Sequence, residues 1–162
     1  VVLTTGGTID KVYFDAQSDY EIGHSIVPSL LRKAGVSTSV EVISLMQKDS
    51  LDMTHSDRES IKEYVEELES GQIVITHGTD TMVETANMLA EANIDKTIVL
   101  SGAMIPAKFG SSDGLFNMGS ALSFVQALRS GVYIAMNGQI FDQKNVKKNK
   151  KIGIFEELES IK

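Results

Sequence analysis

The sequence predicts an α/β fold: an open, mostly parallel sheet flanked by helices in a flavodoxin-like or Rossmann-like three-layer arrangement, with a C-terminal β-hairpin. Short apolar runs alternate with helical periodicity along nearly all of the 162 residues, the pattern of strand–helix–strand units. The runs are aliphatic or β-branched on both faces, as strands covered on both sides require. Asn137-Gly138 follows the fifth run, and that dipeptide favours the two-residue turn of an antiparallel hairpin.

The five runs are residues 1–5, 40–45, 73–76, 97–100 and 132–136. The helices between them have readable ends. Ile26, Leu30, Leu31 and Ala34 before Gly35 form a short one. Ser56-Asp57-Arg58-Glu59 reads as a capping box leading into Ile61, Tyr64, Val65 and Leu68, with Gly71 as the stop. Thr81-Met82-Val83-Glu84 reads as a second box before Ala86, Leu89 and Ala90. Leu115, Met118, Leu122, Val125 and Leu128 make one stripe of a helix over about 113–130. Residues 10–23 show little periodicity and are expected to form a long, lid-like loop. A lysine-rich stretch, 144–151, leads into 152–155 and an acidic 156–159. No repeat or linker interrupts the pattern, so residues 1–162 read as one domain.

A hydrophobic share of 42% is enough for a packed core, since a domain of this length buries roughly 70% of its unfolded surface. Fifteen Lys and Arg against 22 Asp and Glu give a net charge of −7, which opposes nucleic-acid binding because that needs a basic surface. No stretch approaches the roughly 18 apolar residues of a membrane span, so no membrane partner is expected and the cytoplasm is the default location. The absence of cysteine excludes disulfides and thiolate metal sites. His24 and His55 lie far apart without metal-ligand spacing, and His77 is expected to be a packed or hydrogen-bonded strand-end residue. Neither a metal nor a cofactor is expected.

In open parallel sheets the ligand lies beyond the carboxyl ends of the strands, at the switch point. The loops there carry Thr5-Gly6-Gly7-Thr8-Ile9-Asp10, His77-Gly78-Thr79-Asp80 and Ser101-Gly102-Ala103-Met104. Each alone has an ordinary explanation: a tight strand-to-helix turn, an N-cap pair, a loop of small residues. Gly-x-Gly-x-x-Gly and Gly-Lys-Ser/Thr are both missing, which weighs against nucleotide binding. The tail lysines read as a solvated face, but one buried among them would differ, because a desolvated ammonium loses its proton more readily and can act as a base.

Taken together, Thr5-Gly6-Gly7-Thr8-Ile9 and Ile75-Thr76-His77-Gly78-Thr79-Asp80-Thr81-Met82 closely resemble the two signature segments of the bacterial-type L-asparaginases. The likeness continues through Asp19-Tyr20-Glu21-Ile22-Gly23, Ser50-Leu51-Asp52-Met53, Gly102-Ala103-Met104, Ser112-Asp113-Gly114-Leu115-Phe116-Asn117, and Phe141-Asp142 to Val146-Lys147-Lys148. These come in family order over essentially the whole chain. The resemblance implies that Thr8 is the nucleophile and Tyr20 its activating partner. It implies a second hydroxyl–amine–carboxylate set of Thr79, Lys148 and Asp80. Ser50 and Asp80 would hold the substrate's α-carboxylate and α-ammonium, and the Ala103 backbone would meet the side-chain amide. The implied substrate is L-asparagine and the implied assembly a homo-oligomer of two or four chains.

The chain departs from the family in two ways. Longer members carry a second, C-terminal domain, and an acidic residue from it completes the neighbouring subunit's site. Here Asp10, Asp15, Asp19 or Glu21 are the available substitutes. Leu51 stands where longer members carry a substrate-contacting glutamine. Three readings follow: an asparagine amidohydrolase; a non-catalytic amino-acid sensor or regulatory subunit; and a glutamine amidohydrolase, the chemistry of related transfer-RNA amidotransferase domains.

Overall fold

The computed structural model describes residues 1–14 and 19–158. The chain runs β1 (Val2–Gly6), β2 (Lys11–Phe14), β3 (Asp19–Ile22), α1 (Val27–Lys33), β4 (Val42–Lys48), α2 (His55–Glu67), β5 (Gln72–Thr76), α3 (Met82–Glu91), β6 (Thr97–Ser101), α4 (Gly114–Ala127), β7 (Gly131–Met136), β8 (Gln139–Asp142), β9 (Lys147–Asn149) and β10 (Ile154–Glu156). Six of these strands make one sheet in the order β4-β1-β5-β6-β7-β8. The first five are parallel and β8 pairs antiparallel with β7. The parallel strands therefore follow the flavodoxin-like order, and the sheet reverses direction between β1 and β5.

Alternate residues along the central strands feed two apolar layers. Leu3, Ile73, Ile75, Ile98 and Leu100 pack with Ile61 and Val65 of α2 and Met82, Ala86 and Leu89 of α3. Val2, Val74 and Val99 face the other way, against Val27 and Leu30 of α1 and Met118, Ala121 and Val125 of α4. This is the three-layer arrangement the two-faced strands predict. Asn137 and Gly138 take positive φ, 49° and 83°, the backbone of the expected hairpin turn into β8. No described helix is long and apolar enough to cross a membrane.

Several local expectations are corrected. The β4 edge strand is half-exposed rather than covered on both faces. The N-cap of α2 is Thr54, whose hydroxyl accepts from the Asp57 amide while the Asp57 carboxylate accepts from the Thr54 amide. The box is real, but it starts two residues earlier than Ser56. Thr81 makes no cap bond; its hydroxyl donates to the Ser50 carbonyl at 2.9 Å. Within 10–23, the described residues 10–14 and 19–23 are not an unstructured loop. A single 3-10 turn, Thr8–Asp10, leads into β2 and β3, which pair with Tyr13 opposite Tyr20. The aromatic and β-branched residues of these strands are the signal for this hairpin, and the lack of periodicity hid it. A second hairpin, β9 with β10, forms within the lysine-rich tail.

Candidate active site

Three loops meet at the carboxyl edge, on both sides of the reversal point. Gly7 follows β1 with φ 85°, and a Cβ there would lie 2.5 Å from the Gly78 nitrogen. A Cβ on Gly78 would in turn lie 2.5 Å from the Ser50 hydroxyl oxygen. Glycine at both positions lets the loops after β1, β4 and β5 stack in backbone contact. Thr8 and Thr79 each stand one residue beyond these contacts. Thr8 is half-buried, and among the described residues its hydroxyl forms no hydrogen bond.

Thr79, Asp80 and Lys148 are brought into direct contact. The Lys148 ammonium donates to the Thr79 hydroxyl and to Asp80 Oδ1, both at 2.8 Å. The lysine comes from β9, where strand alternation turns it inward. Val146, two residues before it, and Phe155, its cross-strand neighbour, are both buried. Lys147 points the other way, to Glu156 at 3.5 Å, with 48% of its side chain exposed against 13% for Lys148. Thr79 is buried and Asp80 half-exposed.

Tyr20 is placed differently. Its ring is 47% exposed and stands edge-on to Tyr13 and to Phe109 of the β6–α4 loop, with centroids 5.6 and 6.2 Å away. Among the described residues no hydrogen bond joins it to Thr8. The base of its hairpin is fixed by Lys11, which reaches Asp49 at 2.9 Å, and by Asp10, which holds the Gly23 amide with its carbonyl and the Ile26 amide with its carboxylate. Burial pushes the Asp10 carboxyl up to about 6, against the Ile26 amide and Ser25 bonds that lower it.

Ser50 is buried, and its hydroxyl has no partner among the described residues. Ala103 is buried in the loop after β6. Leu51 is 66% exposed. Of the carboxylates considered above as substitutes for an acid from a second domain, Asp10 is already engaged beneath the hairpin. Asp19 is exposed and accepts from the Tyr20 amide. Glu21 is exposed, and Asp15 lies outside the described residues.

His77 is fully buried, as its strand-end position suggested, and does more than fill space. Nδ1 donates to the Gly78 carbonyl at 2.7 Å. That bond puts the proton on Nδ1, so Nε2 accepts from the Thr85 hydroxyl at 2.8 Å, and Thr85 accepts from Arg58 Nε at 3.1 Å. Burial first, and the nearby Arg58 charge, lower the histidine to about 4 despite the opposing Gly78 bond. The ring is neutral and the chain of donors is fixed from Arg58 to the peptide preceding Thr79. Sequence reasoning places Arg58 only in a cap and misses this role. Its signal was there: it sits three and seven residues before Ile61 and Val65, on the core face of α2.

The family model described as "Asparaginase, N-terminal" matches residues 1–156. The chain is 32% identical to a glutaminase-asparaginase from Acinetobacter glutaminasificans, over 91% of this chain and 49% of that protein. It is 32% identical to an L-asparaginase from Thermococcus kodakarensis, over 95% of this chain and 48% of that one. The solved thermostable L-asparaginase of Thermococcus kodakarensis superposes with a TM-score of 0.82 at 28% identity, covering 96% of this chain and 50% of that one. The chain thus spans about half the length of the first relatives it matches.

Proposed function

This chain belongs to the asparaginase family, and on that premise we propose that it hydrolyses the side-chain amide of L-asparagine to aspartate and ammonia through an acyl-enzyme on Thr8. The observation that carries this reading is the Lys148–Thr79–Asp80 contact, built at the sheet's reversal point beside the Thr8 turn. A binding module has no need of an ammonium directed onto a buried hydroxyl next to a second, unbonded one.

The chemistry follows from these groups. Threonine is a poor nucleophile until its proton is accepted, and Tyr20 is the partner in this reading once its hairpin closes over the substrate. The Thr8 oxygen adds to the amide carbon, and the oxygen that becomes negative is met by backbone amides of the Gly6-Gly7 turn and Thr79. One such donor is worth about 2.7–4 kcal/mol in other hydrolases. Lys148, through the Thr79 hydroxyl, supplies the proton with which the nitrogen leaves as ammonia. Water then opens the ester. Ser50 and Asp80 hold the α-carboxylate and α-ammonium, and rotation of Ser50 about χ1 turns its unpaired hydroxyl to the ligand. Two or four copies assemble in this reading, since the family's sites lie near subunit contacts.

Glutamine is the second substrate to weigh, because the Acinetobacter relative is named for both activities. With the α-groups fixed, the extra methylene carries the amide past Thr8, and a misplacement of about 1 Å costs on the order of a hundredfold. Exposed Leu51 leaves that clamp one polar contact short. Ammonia release from each amide gives the test: kcat/KM is expected to favour asparagine, and equal values would show that the α-group clamp does not set specificity. No ammonia from either amide would remove the hydrolase reading itself.

A further inference from the structure

The segment Ser112-Asp113-Gly114-Leu115-Phe116-Asn117 has no part in the chemistry above, yet it holds one of the most heavily bonded carboxylates in the molecule. Asp113 is the N-cap residue of α4 but makes no cap bond to its own helix. The Gly114 amide is taken instead by Ser112 at 3.0 Å. Asp113 reaches back across the loop after β6. Oδ1 accepts from the Met104 amide at 3.0 Å and the Ile105 amide at 3.1 Å. Oδ2 accepts from the side-chain amides of Asn117 and Asn137, both at 2.9 Å, and lies 3.1 Å from the Met104 nitrogen. Burial alone would raise this carboxyl, but the donors from Asn137, Met104 and Ile105 hold it below the usual range.

These bonds fix a direction. Asn117 donates to the Gly102 carbonyl at 2.8 Å, so the peptides on both sides of Ala103 are pinned. The Ala103 carbonyl and the Met104 N–H belong to one trans peptide and point oppositely. With the N–H aimed at Asp113, the carbonyl is aimed away from it. Among the described residues that carbonyl accepts from no donor. Its loop is continuous with β6, whose last residue, Ser101, accepts from the His77 amide at 2.8 Å, two residues from Thr79.

Resting on the amidohydrolase reading, we propose that Asp113 is a positioning residue that aims the Ala103 carbonyl at the substrate's side-chain nitrogen, so that the site selects an amide over groups that cannot donate. A carbonyl accepts from an NH2 group, gains nothing from an ester oxygen and repels the carboxylate of the aspartate product.

The test compares the full chain acting on L-asparagine and on the β-methyl ester of L-aspartate, which offers Thr8 the same carbonyl carbon without an N–H. Asp113→Ala is expected to lower the amide-to-ester ratio of kcat/KM about tenfold, the worth of one well-placed hydrogen bond. Asp113→Asn is expected to keep the ratio within about threefold, because its oxygen still serves Met104 and Ile105. Its NH2 faces the donors of Asn117 and Asn137, so its melting temperature should fall. Selectivity and stability then separate, which a purely structural role would not allow. If Asp113→Ala does not fold, Asp113→Glu carries the same test, since its carboxylate is displaced by one methylene and the ratio should again fall. Equal losses on amide and ester, or loss of selectivity in Asp113→Asn, would overturn the assignment. A wild-type chain that hydrolyses neither compound would overturn the amidohydrolase reading instead.

Discussion

The two catalytic sets proposed here are built in opposite ways. Thr79, Asp80 and Lys148 are locked: two 2.8 Å bonds from a lysine only 13% exposed, on a strand end whose preceding carbonyl is fixed by His77, Thr85 and Arg58. Thr8 and Tyr20 are not. Tyr20 rides on a two-stranded ribbon, held by edge-on aromatic contacts and tied, among the described residues, mainly at its base. An isolated two-stranded ribbon is marginally stable in water. In the proposed reaction, one half of the site is therefore ready before substrate arrives, while the other is expected to gain its geometry on binding, as lids do.

The largest expected effect lies on the locked side. Lys148→Met should lower kcat by about a hundredfold or more, the scale of a lost proton-transfer group. Met at Lys147 or Lys150, both exposed, should leave kcat within about twofold, as surface changes usually do. Steady-state ammonia release on the three variants decides it, and similar losses in all three would dissolve the distinction between an inward lysine and its neighbours.

A smaller effect separates the two sets by motion. Aspartate should slow amide exchange in β2 and β3 several-fold while leaving residues 76–80 unchanged, because only the hairpin has order to gain. Equal change in both segments would mean that neither set is preorganised relative to the other.

The smallest concerns the hairpin's base. Asp10 titrates near 6 in the fold against 3.8 for the free group. Between these values the unfolded chain has released the proton and the folded chain has not, so stability falls as pH rises from about 4 to about 6 and levels off above. The shift corresponds to at most about 3 kcal/mol. Asp57, drawn down to about 2 chiefly by Lys48, acts in the opposite sense and below this window. Asp10→Asn should therefore gain stability relative to the parent chain across pH 4–6 in urea unfolding. A difference that stays flat with pH would show that Asp10 is not buried as a strained carboxylate.

Much of this organisation was legible in the sequence. Two-faced strands such as 73–76 and 97–100 require cover on both sides, and that fixed the three layers. The small residues after β1, β5 and β6 marked the edge where loops must approach closely. The inward lysine was less legible, because a run of lysines resembles a solvated face until Val146 and Phe155 show which side of β9 is buried. Arg58 and Asp113 were missed for a shared reason. Each has an obvious local role at a helix start, whereas Arg58 also reaches the Thr85 hydroxyl of α3 and Asp113 spends its bonds on the loop after β6. Local patterns do not record such tertiary choices.

The central claim is that Thr8 carries the acyl group. Acid quenching during asparagine turnover, followed by intact-mass and peptide mapping, should find an aspartyl ester on the peptide containing Thr8. Thr8→Ala should fold normally, release no ammonia above background and carry no adduct. An ester on Thr79 instead, or turnover and labelling that persist in Thr8→Ala, would contradict the account.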